Sequence, residues 1–308
     1  MKKNEFNSTS SLAALTEDSQ QSKNIFITDY WPNEPFVIHG LTESIAELTE
    51  IPFLKSLSHL LNFWSDQISV HLPDASDESS AIQTNSENAA KLFNNKMALL
   101  FNHVHKKSPI LNQWLLNLKK DLGLPESTIS RCMVYATPDK KGTAAHFDQN
   151  INFVLQLHGT KTWWIAENEH VENPTERFTI GQPMGSELAS YVEIDMPKVM
   201  PLNKKEIILK PGSMLFVPRG YWHMTQASGD ALALNFTFSQ PTWADLLTAA
   251  LHSRLNLSPD WRDLADGVNS VDADRKQLAV SKFDLLLQDL ILDLPNWQAA
   301  DILKSTEG

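Results

Sequence analysis

Two histidines and one aspartate carry the chemistry that this sequence announces. His146 and Asp148 lie in Thr143-Ala-Ala-His-Phe-Asp148, and His223 ends the run Lys210-Pro-Gly-Ser-Met-Leu-Phe-Val-Pro-Arg-Gly-Tyr-Trp-His223. Two imidazoles and one carboxylate on neighbouring strands can occupy one face of an octahedral Fe(II), which leaves three positions for a cosubstrate and O₂. The His-x-Asp spacing suits that role, because strand side chains alternate with period two and both ligands then point to one side. Taken alone, the pattern is equally that of two polar residues at a strand edge and a histidine satisfied in a core.

Neighbouring segments add to the metal reading. Ile151-Asn-Phe-Val-Leu-Gln-Leu157 reads as a strand with Ile151, Phe153, Leu155 and Leu157 on one face. Asn152, Val154 and Gln156 form the other face, in phase with His146 and Asp148. Amides in an apolar strand are costly to bury without partners, which points them to a wet cavity or a ligand. A turn at His158-Gly159 is expected next, leading to a further strand with Lys161 and Trp163 in phase. Lys161 would supply a cation near the metal, as needed to hold the distal carboxylate of a dicarboxylic acid; by itself it reads equally as a solvated strand lysine.

The segment around His223 follows the same logic. Pro211-Gly212 signals a turn, Ser213 to Val217 a short strand, and Pro218-Arg219-Gly220 a second turn that sets Tyr221-Trp222-His223 at the head of the next element. Ala231 to Phe238 then alternates, with Leu232, Leu234, Phe236 and Phe238 on one face and Ala231, Ala233, Asn235 and Thr237 on the other. Large residues suit a packed outer layer, and small or polar ones leave room for a bound molecule.

These blocks, His146-Phe-Asp148 through Asn152-Phe-Val-Leu-Gln156-Leu-His-Gly-Thr-Lys161 and Lys210 to His223, resemble the JmjC-type Fe(II)- and 2-oxoglutarate-dependent oxygenases of the cupin superfamily, most of all the ribosomal-oxygenase branch. The resemblance runs from about Thr28 to Thr248 and includes the opening Trp31-Pro-Asn-Glu-Pro-Phe-Val-Ile-His-Gly40. It implies a mainly β fold with flanking helices, built on a double-stranded β-helix or jelly roll. It implies that His146, Asp148 and His223 hold Fe(II), that Lys161, helped by Thr143, grips 2-oxoglutarate, and that Asn152 and Asn235 lie near the cosubstrate and metal. The activity implied is hydroxylation of a side chain of a protein or peptide, with O₂ as oxidant. Two alternatives stand beside it: an oxygenase acting on a free amino acid or natural-product scaffold, and a non-oxygenase metal-binding cupin.

Composition narrows the partners. The net charge is −11 over 308 residues, with no Lys/Arg run longer than pairs such as Lys140-Lys141, so direct binding to nucleic acid is disfavoured. An acidic surface would favour a basic protein or peptide substrate, or would serve solubility alone. The single cysteine, Cys132, fits a reducing compartment, and no apolar run reaches membrane-spanning length, so a cytoplasmic, membrane-free protein is expected.

The expected organisation is a mobile, Ser/Asn/Gln-rich stretch over residues 1–23, an oxygenase domain over 24–240 with its barrel core at 131–240, and a helical region over 241–308. Helical periodicity is expected at Ile51 to Trp64 and Leu111 to Leu122. The polar stretch Pro73 to Asn88 reads as linker or as a loop that orders over the site. The insertion from Glu167 to Val199 is the candidate for substrate selection, with no role assigned to Arg177, Met184 or Tyr191. After Gln240, too few residues remain for the winged-helix domain usual in the ribosomal-oxygenase branch. The apolar stripe of Asp274 to Leu294 is wider than one buried flank requires, which points to pairing in a homodimer.

Overall fold

The computed structural model describes residues 10–17, 19–72 and 81–305. They form two compact units: the larger holds the described residues up to Leu124 together with Ile129–Ser239, the smaller Pro125–Thr128 and those from Gln240 onward.

The larger unit opens with two short helices, α1 (Ser11–Leu15) and α2 (Gln20–Ile25), capped by the Ser10 and Ser19 hydroxyls. The expected mobility of residues 1–23 does not hold for 10–17 and 19–23. Leu12 and Leu15 are fully buried, and Asp121 accepts from the Leu12 amide at 3.0 Å and pairs with Lys23 at 2.7 Å. A four-residue Leu-Ala-Ala-Leu patch in a polar stretch is enough to anchor it. Residues 1–9 lie outside the described residues.

There follow β1 (Phe36–Ile38), α3 (Ala46–Thr49), α4 (Leu57–Phe63), β2 (Ile68–His71), β3 (Ile82–Thr84), α5 (Ser86–Asn94), β4 (Ala98–Phe101) and α6 (Pro109–Asp121). The expected helix over Ile51 to Trp64 is split into a 3₁₀ turn and α4, because the Ser56 hydroxyl accepts from the His59 amide and starts a new helix. Of the polar stretch at 73–88, residues 73–80 lie outside the described residues. The rest is not linker: Ile82–Thr84 pairs with β2, and Asn85 caps α5.

The barrel comprises β5 (Ile129–Thr137), β6 (Gly142–Phe147), β7 (Ile151–Ala166), β8 (Phe178–Thr179), β9 (Lys205–Leu209), β10 (Met214–Val217) and β11 (Trp222–Ser239), with a short helix, α7 (Ser186–Ala189), between β8 and β9. All strands join one antiparallel sheet, ordered β1-β10-β7-β11-β5-β4-β2-β3, with β9 on β7, β6 on β11 and β8 on β6. This is the expected double-stranded β-helix with flanking helices.

The turn expected at His158-Gly159 is absent, and β7 continues through it. Gly159 takes φ +67° opposite Gly229 and Asp230, where the β7–β11 register shifts between Ser228 and Leu232. A glycine followed by polar residues reads as a turn, but here it marks a bulge that bends two paired strands together. One strand thereby carries both Asn152 and Lys161. Its apolar face, Ile151 to Leu157, packs with Leu234, Phe236 and Phe238 of β11 and with Leu12, Phe26 and Trp114 of the helical layer in one core. The opposite face is left for the site.

In the smaller unit, α8 (Trp243–Leu255) starts with a Thr242/Asp245 capping box, and Arg254 pairs with Asp293 at 2.7 Å on α9 (Ala273–Asp293), with α10 (Ala299–Ser305) beyond. None of the α9 residues is buried, and Leu278 and Leu292 are 69% and 74% exposed. No helix among the described residues is long and apolar enough to cross a membrane.

The bulge yields a first prediction. A Cβ on Gly159 would lie 2.2 Å from the Asp230 carbonyl oxygen, in a backbone region that side chains disfavour. Gly159→Ala is expected to destabilise the fold by about 1–3 kcal/mol, seen as a lower urea midpoint at unchanged slope. A wild-type midpoint would contradict the bulge.

Candidate active site

The three residues expected at a metal converge. His146 stands on β6 directly opposite His223 on β11, and one ligand atom from each histidine and from Asp148 lies within 4.8 Å of the others. The Asp148 Oδ2 is 4.0 Å from His146 Nε2 and 3.7 Å from His223 Nε2. Each imidazole turns its Nδ1 to a backbone carbonyl, Ala144 at 2.7 Å and Tyr221 at 2.9 Å. A ring that donates from Nδ1 keeps its Nε2 lone pair free, so both histidines are held in the ligating tautomer. Burial pushes the His223 pKa well down, which keeps it neutral, and pushes the Asp148 carboxyl up against the opposing pull of His146 and an Asn152 hydrogen bond.

Asn152 therefore positions Asp148. Its side chain bonds the Asp148 carboxylate, while its Oδ1 accepts from Thr237 at 2.6 Å. Gln156, from the same expected face, turns inward instead and donates to the His158 carbonyl at 2.7 Å.

A cavity of about 850 Å³ opens beside the triad, lined by Thr143, Asn152, Lys161, Trp163 and Asn235 among others. Lys161 is only 5% exposed, and among the described residues no carboxylate lies within ion-pair distance of it. Burial lowers its pKa to about 8. Trp163 stacks on His223 with ring centroids 5.7 Å apart. The Trp163 Nε1 and Asn235 Oδ1 are buried without a partner among the described residues. Thr143 shares a hydroxyl–hydroxyl bond of 3.0 Å with Thr225, opposite it on β11. All seven residues singled out in the sequence thus face one cavity.

Arg177, which the sequence left without a role, also enters it. The β8 residues Thr179 and Phe178 pair with His146 and Phe147, and continuing that antiparallel register by one residue sets Arg177 across from Asp148. The two form an ion pair at 3.5 Å through Asp148 Oδ1. That leaves Oδ2 turned to the histidines. Gln182 of the same insertion lines the cavity too, whereas Met184 packs near Trp222 and Tyr191 hydrogen-bonds Thr175 at 2.8 Å.

Tyr135 and Thr137 of β5 are among the cavity residues that escaped the sequence reading. Alternation held the signal: Cys132, Val134 and Ala136 are buried in the core, which points Tyr135 and Thr137 the other way.

The Lys161 ammonium has a stability consequence. With a folded pKa near 8 against 10.5 in a solvated lysine, the unfolded chain holds the proton more tightly, so the penalty is full below pH 8 and vanishes as pH rises toward 10.5. Lys161→Met is expected to stabilise the ligand-free protein by about 2–3 kcal/mol at neutral pH. The gain should shrink at pH 9–10 in paired urea titrations; a gain independent of pH, or a loss, would contradict the buried charge.

Comparison with known proteins places this geometry. The JmjC domain model matches residues 112–246, which include all seven residues. The protein YxbC of Bacillus subtilis is 32% identical over 291 residues, 91% of this chain and 88% of that one. Ribosomal oxygenase 1 of Homo sapiens is 30% identical over 143 residues, 45% of this chain, and the match spans only 20% of that longer protein. The solved structure of YcfD, a ribosomal oxygenase from Escherichia coli, in complex with cobalt and 2-oxoglutarate, superimposes with a TM-score of 0.52 at 18% identity, covering 92% of this chain and 68% of that chain. With its fold and its matched residues in agreement, the chain belongs to the JmjC-domain family.

Proposed function

We propose that this JmjC protein is an Fe(II)- and 2-oxoglutarate-dependent oxygenase that hydroxylates a side chain of a protein or peptide. The observation that carries this reading is the buried Lys161 ammonium in the triad's own cavity. A buried cation without a counter-charge is costly. An anion bound in the cavity, such as the distal carboxylate of 2-oxoglutarate, removes that cost. A metal-binding cupin of another class has no such need.

The donor set would fit Fe(II): two imidazole nitrogens and one carboxylate oxygen, all on residues that line the cavity. In this reading His146, Asp148 and His223 hold the iron. Lys161 and Thr143 hold the cosubstrate's far end, and Asn235 and Trp163 offer polar atoms inside the cavity. When bound, the iron couples decarboxylation of 2-oxoglutarate by O₂ to insertion of one oxygen atom into a substrate C–H bond, giving succinate and CO₂. The chain's part is to orient and to enclose: Asn152 and Arg177 fix the Asp148 carboxylate, and the barrel walls keep bulk water from the Lys161 pair, which strengthens it.

A protein or peptide substrate is supported by the cavity's size, about 850 Å³ and so more than the cosubstrate fills, and by the ribosomal-oxygenase names of two relatives. Residues 24–240 are assigned to the oxygenase domain and 241–308 to assembly, with the cytoplasm as its compartment. Phe283, Leu287 and Ile291 of α9 are 54%, 37% and 63% exposed. Each large apolar side chain buried in a contact contributes roughly 1.5–3 kcal/mol, which favours a homodimer formed through this helix.

Binding titrations test the site. His146→Ala and His223→Ala are expected to lose Fe(II) binding, and Asp148→Ala to weaken it sharply. Lys161→Ala removes a charge-assisted pair of roughly 1.5–3 kcal/mol and is expected to weaken 2-oxoglutarate about ten- to hundredfold while leaving iron affinity nearly unchanged. Wild-type cosubstrate affinity in Lys161→Ala would refute the assignment. For assembly, light scattering should give twice the 34.7 kDa chain mass, and Leu287→Glu with Ile291→Glu should give folded monomer. A wild-type mass of one chain at micromolar concentration would remove the dimer.

A further inference from the structure

The cavity reverses the sign of the protein that contains it. The chain carries a net charge of −11, yet among the described residues lining the cavity the cations are Lys96, Lys140, Lys141, Lys161 and Arg177, and the only carboxylate is Asp148. Lys161 and Arg177 belong to the inner site. Lys96, Lys140 and Lys141 stand at its rim, exposed or half-buried.

Separate turns bring the rim lysines to the one cavity. Lys96 follows α5 with φ +66°, and Lys140 sits in the β5–β6 turn with φ +63°. That turn is fastened to β11, with the Lys140 amide donating to the Ala227 carbonyl at 3.0 Å and the Ala227 amide to Lys141 at 2.7 Å. The nearby carboxylates of Asp139 and Asp230 accept from the amides of Gly229 and Asp139 at 2.7 and 2.9 Å, and neither lines the cavity. Among the described residues, none of the three rim lysines has a carboxylate partner within ion-pair distance.

Loading the site does not cancel this charge. Without counting Arg177, the metal's two positive charges and Lys161 balance the three negative charges of Asp148 and the cosubstrate dianion, so the three rim lysines are left to set the sign. A cleft lined by one sign of charge between low-dielectric walls focuses its field on an incoming chain. Single exposed lysines contribute little, so the effect is collective and sensitive to salt.

Resting on the oxygenase reading, we propose that the substrate segment is an acidic peptide, with Asp or Glu side chains beside the hydroxylated residue reaching Lys96, Lys140 and Lys141. Local charge then overrides the sign of the whole chain. The basic substrate that net charge alone would favour meets the wrong field at the cavity mouth.

The test uses two pools of short fluorescein-labelled peptides with random centres and flanks of either Glu or Lys, titrated by anisotropy into protein loaded with Mn(II) and 2-oxoglutarate. The Glu-flanked pool is expected to bind at least about tenfold tighter at low salt, with the advantage shrinking above roughly 0.15 M salt. The triple variant Lys96→Ser, Lys140→Ser, Lys141→Ser should abolish the advantage. Equal binding, a preference for the Lys-flanked pool, or no binding of either pool overturns the proposal. So does a triple variant that raises the 2-oxoglutarate KM while keeping the peptide discrimination, because the rim would then serve the cosubstrate. The anaerobic charge-transfer band of Fe(II)-loaded wild type on addition of 2-oxoglutarate, which needs no peptide, tests the oxygenase reading separately; its absence would defeat that reading whatever the pools show.

Discussion

A buried ammonium that has no counter-charge among the described residues constrains this structure more than any other feature. Lys161 sits inside the barrel at 5% exposure, and its pKa is pushed down to about 8 by burial alone. A solvated lysine at the same strand position would avoid that penalty, so the residue is intelligible as half of a pair whose other half is a bound anion. The rest of the barrel serves to hold it there. The Gly159 bulge lets β7 bend and still pair with β11, so that one strand presents Asn152, bonded to Asp148, and Lys161 to the same cavity.

The triad depends on these two strands and on β6. His223 on β11 faces His146 on β6, while β7 supplies Asn152, which fastens Asp148. Carbonyl bonds to both Nδ1 atoms settle the tautomers before any ligand arrives. The insertion adds one contact that matters: Arg177, the residue just before the two-residue strand β8, occupies one Asp148 oxygen.

Much of this was legible in the sequence because it rests on local periodicity. The two-faced segment Ile151 to Leu157 and the alternation of Ala231 to Phe238 reflect the two-residue repeat of a strand, and the structure follows both; of the His-x-Asp pair, His146 lies on β6 and Asp148 one residue past its end. What escaped depends on contacts distant in sequence. Gly159 looks like a turn until Gly229 and Asp230 are opposite it. Leu12 and Leu15 look stranded in a polar stretch until Asp121 receives their helix. Arg177 shows no pattern at all, since its place comes from the register of β8 on β6. The rim lysines failed to stand out for the same reason: they come from two separate turns, and no basic run joins Lys96 to Lys140.

The central claim, that the triad and Lys161 together make one site for Fe(II) and 2-oxoglutarate, is tested most directly by visible absorption under anaerobic conditions. Addition of 2-oxoglutarate to the Fe(II)-loaded protein is predicted to produce a metal-to-ligand charge-transfer band that saturates at one equivalent, and succinate, which lacks the keto group, should produce none. Protein that binds Fe(II) but develops no band with excess 2-oxoglutarate would contradict the account.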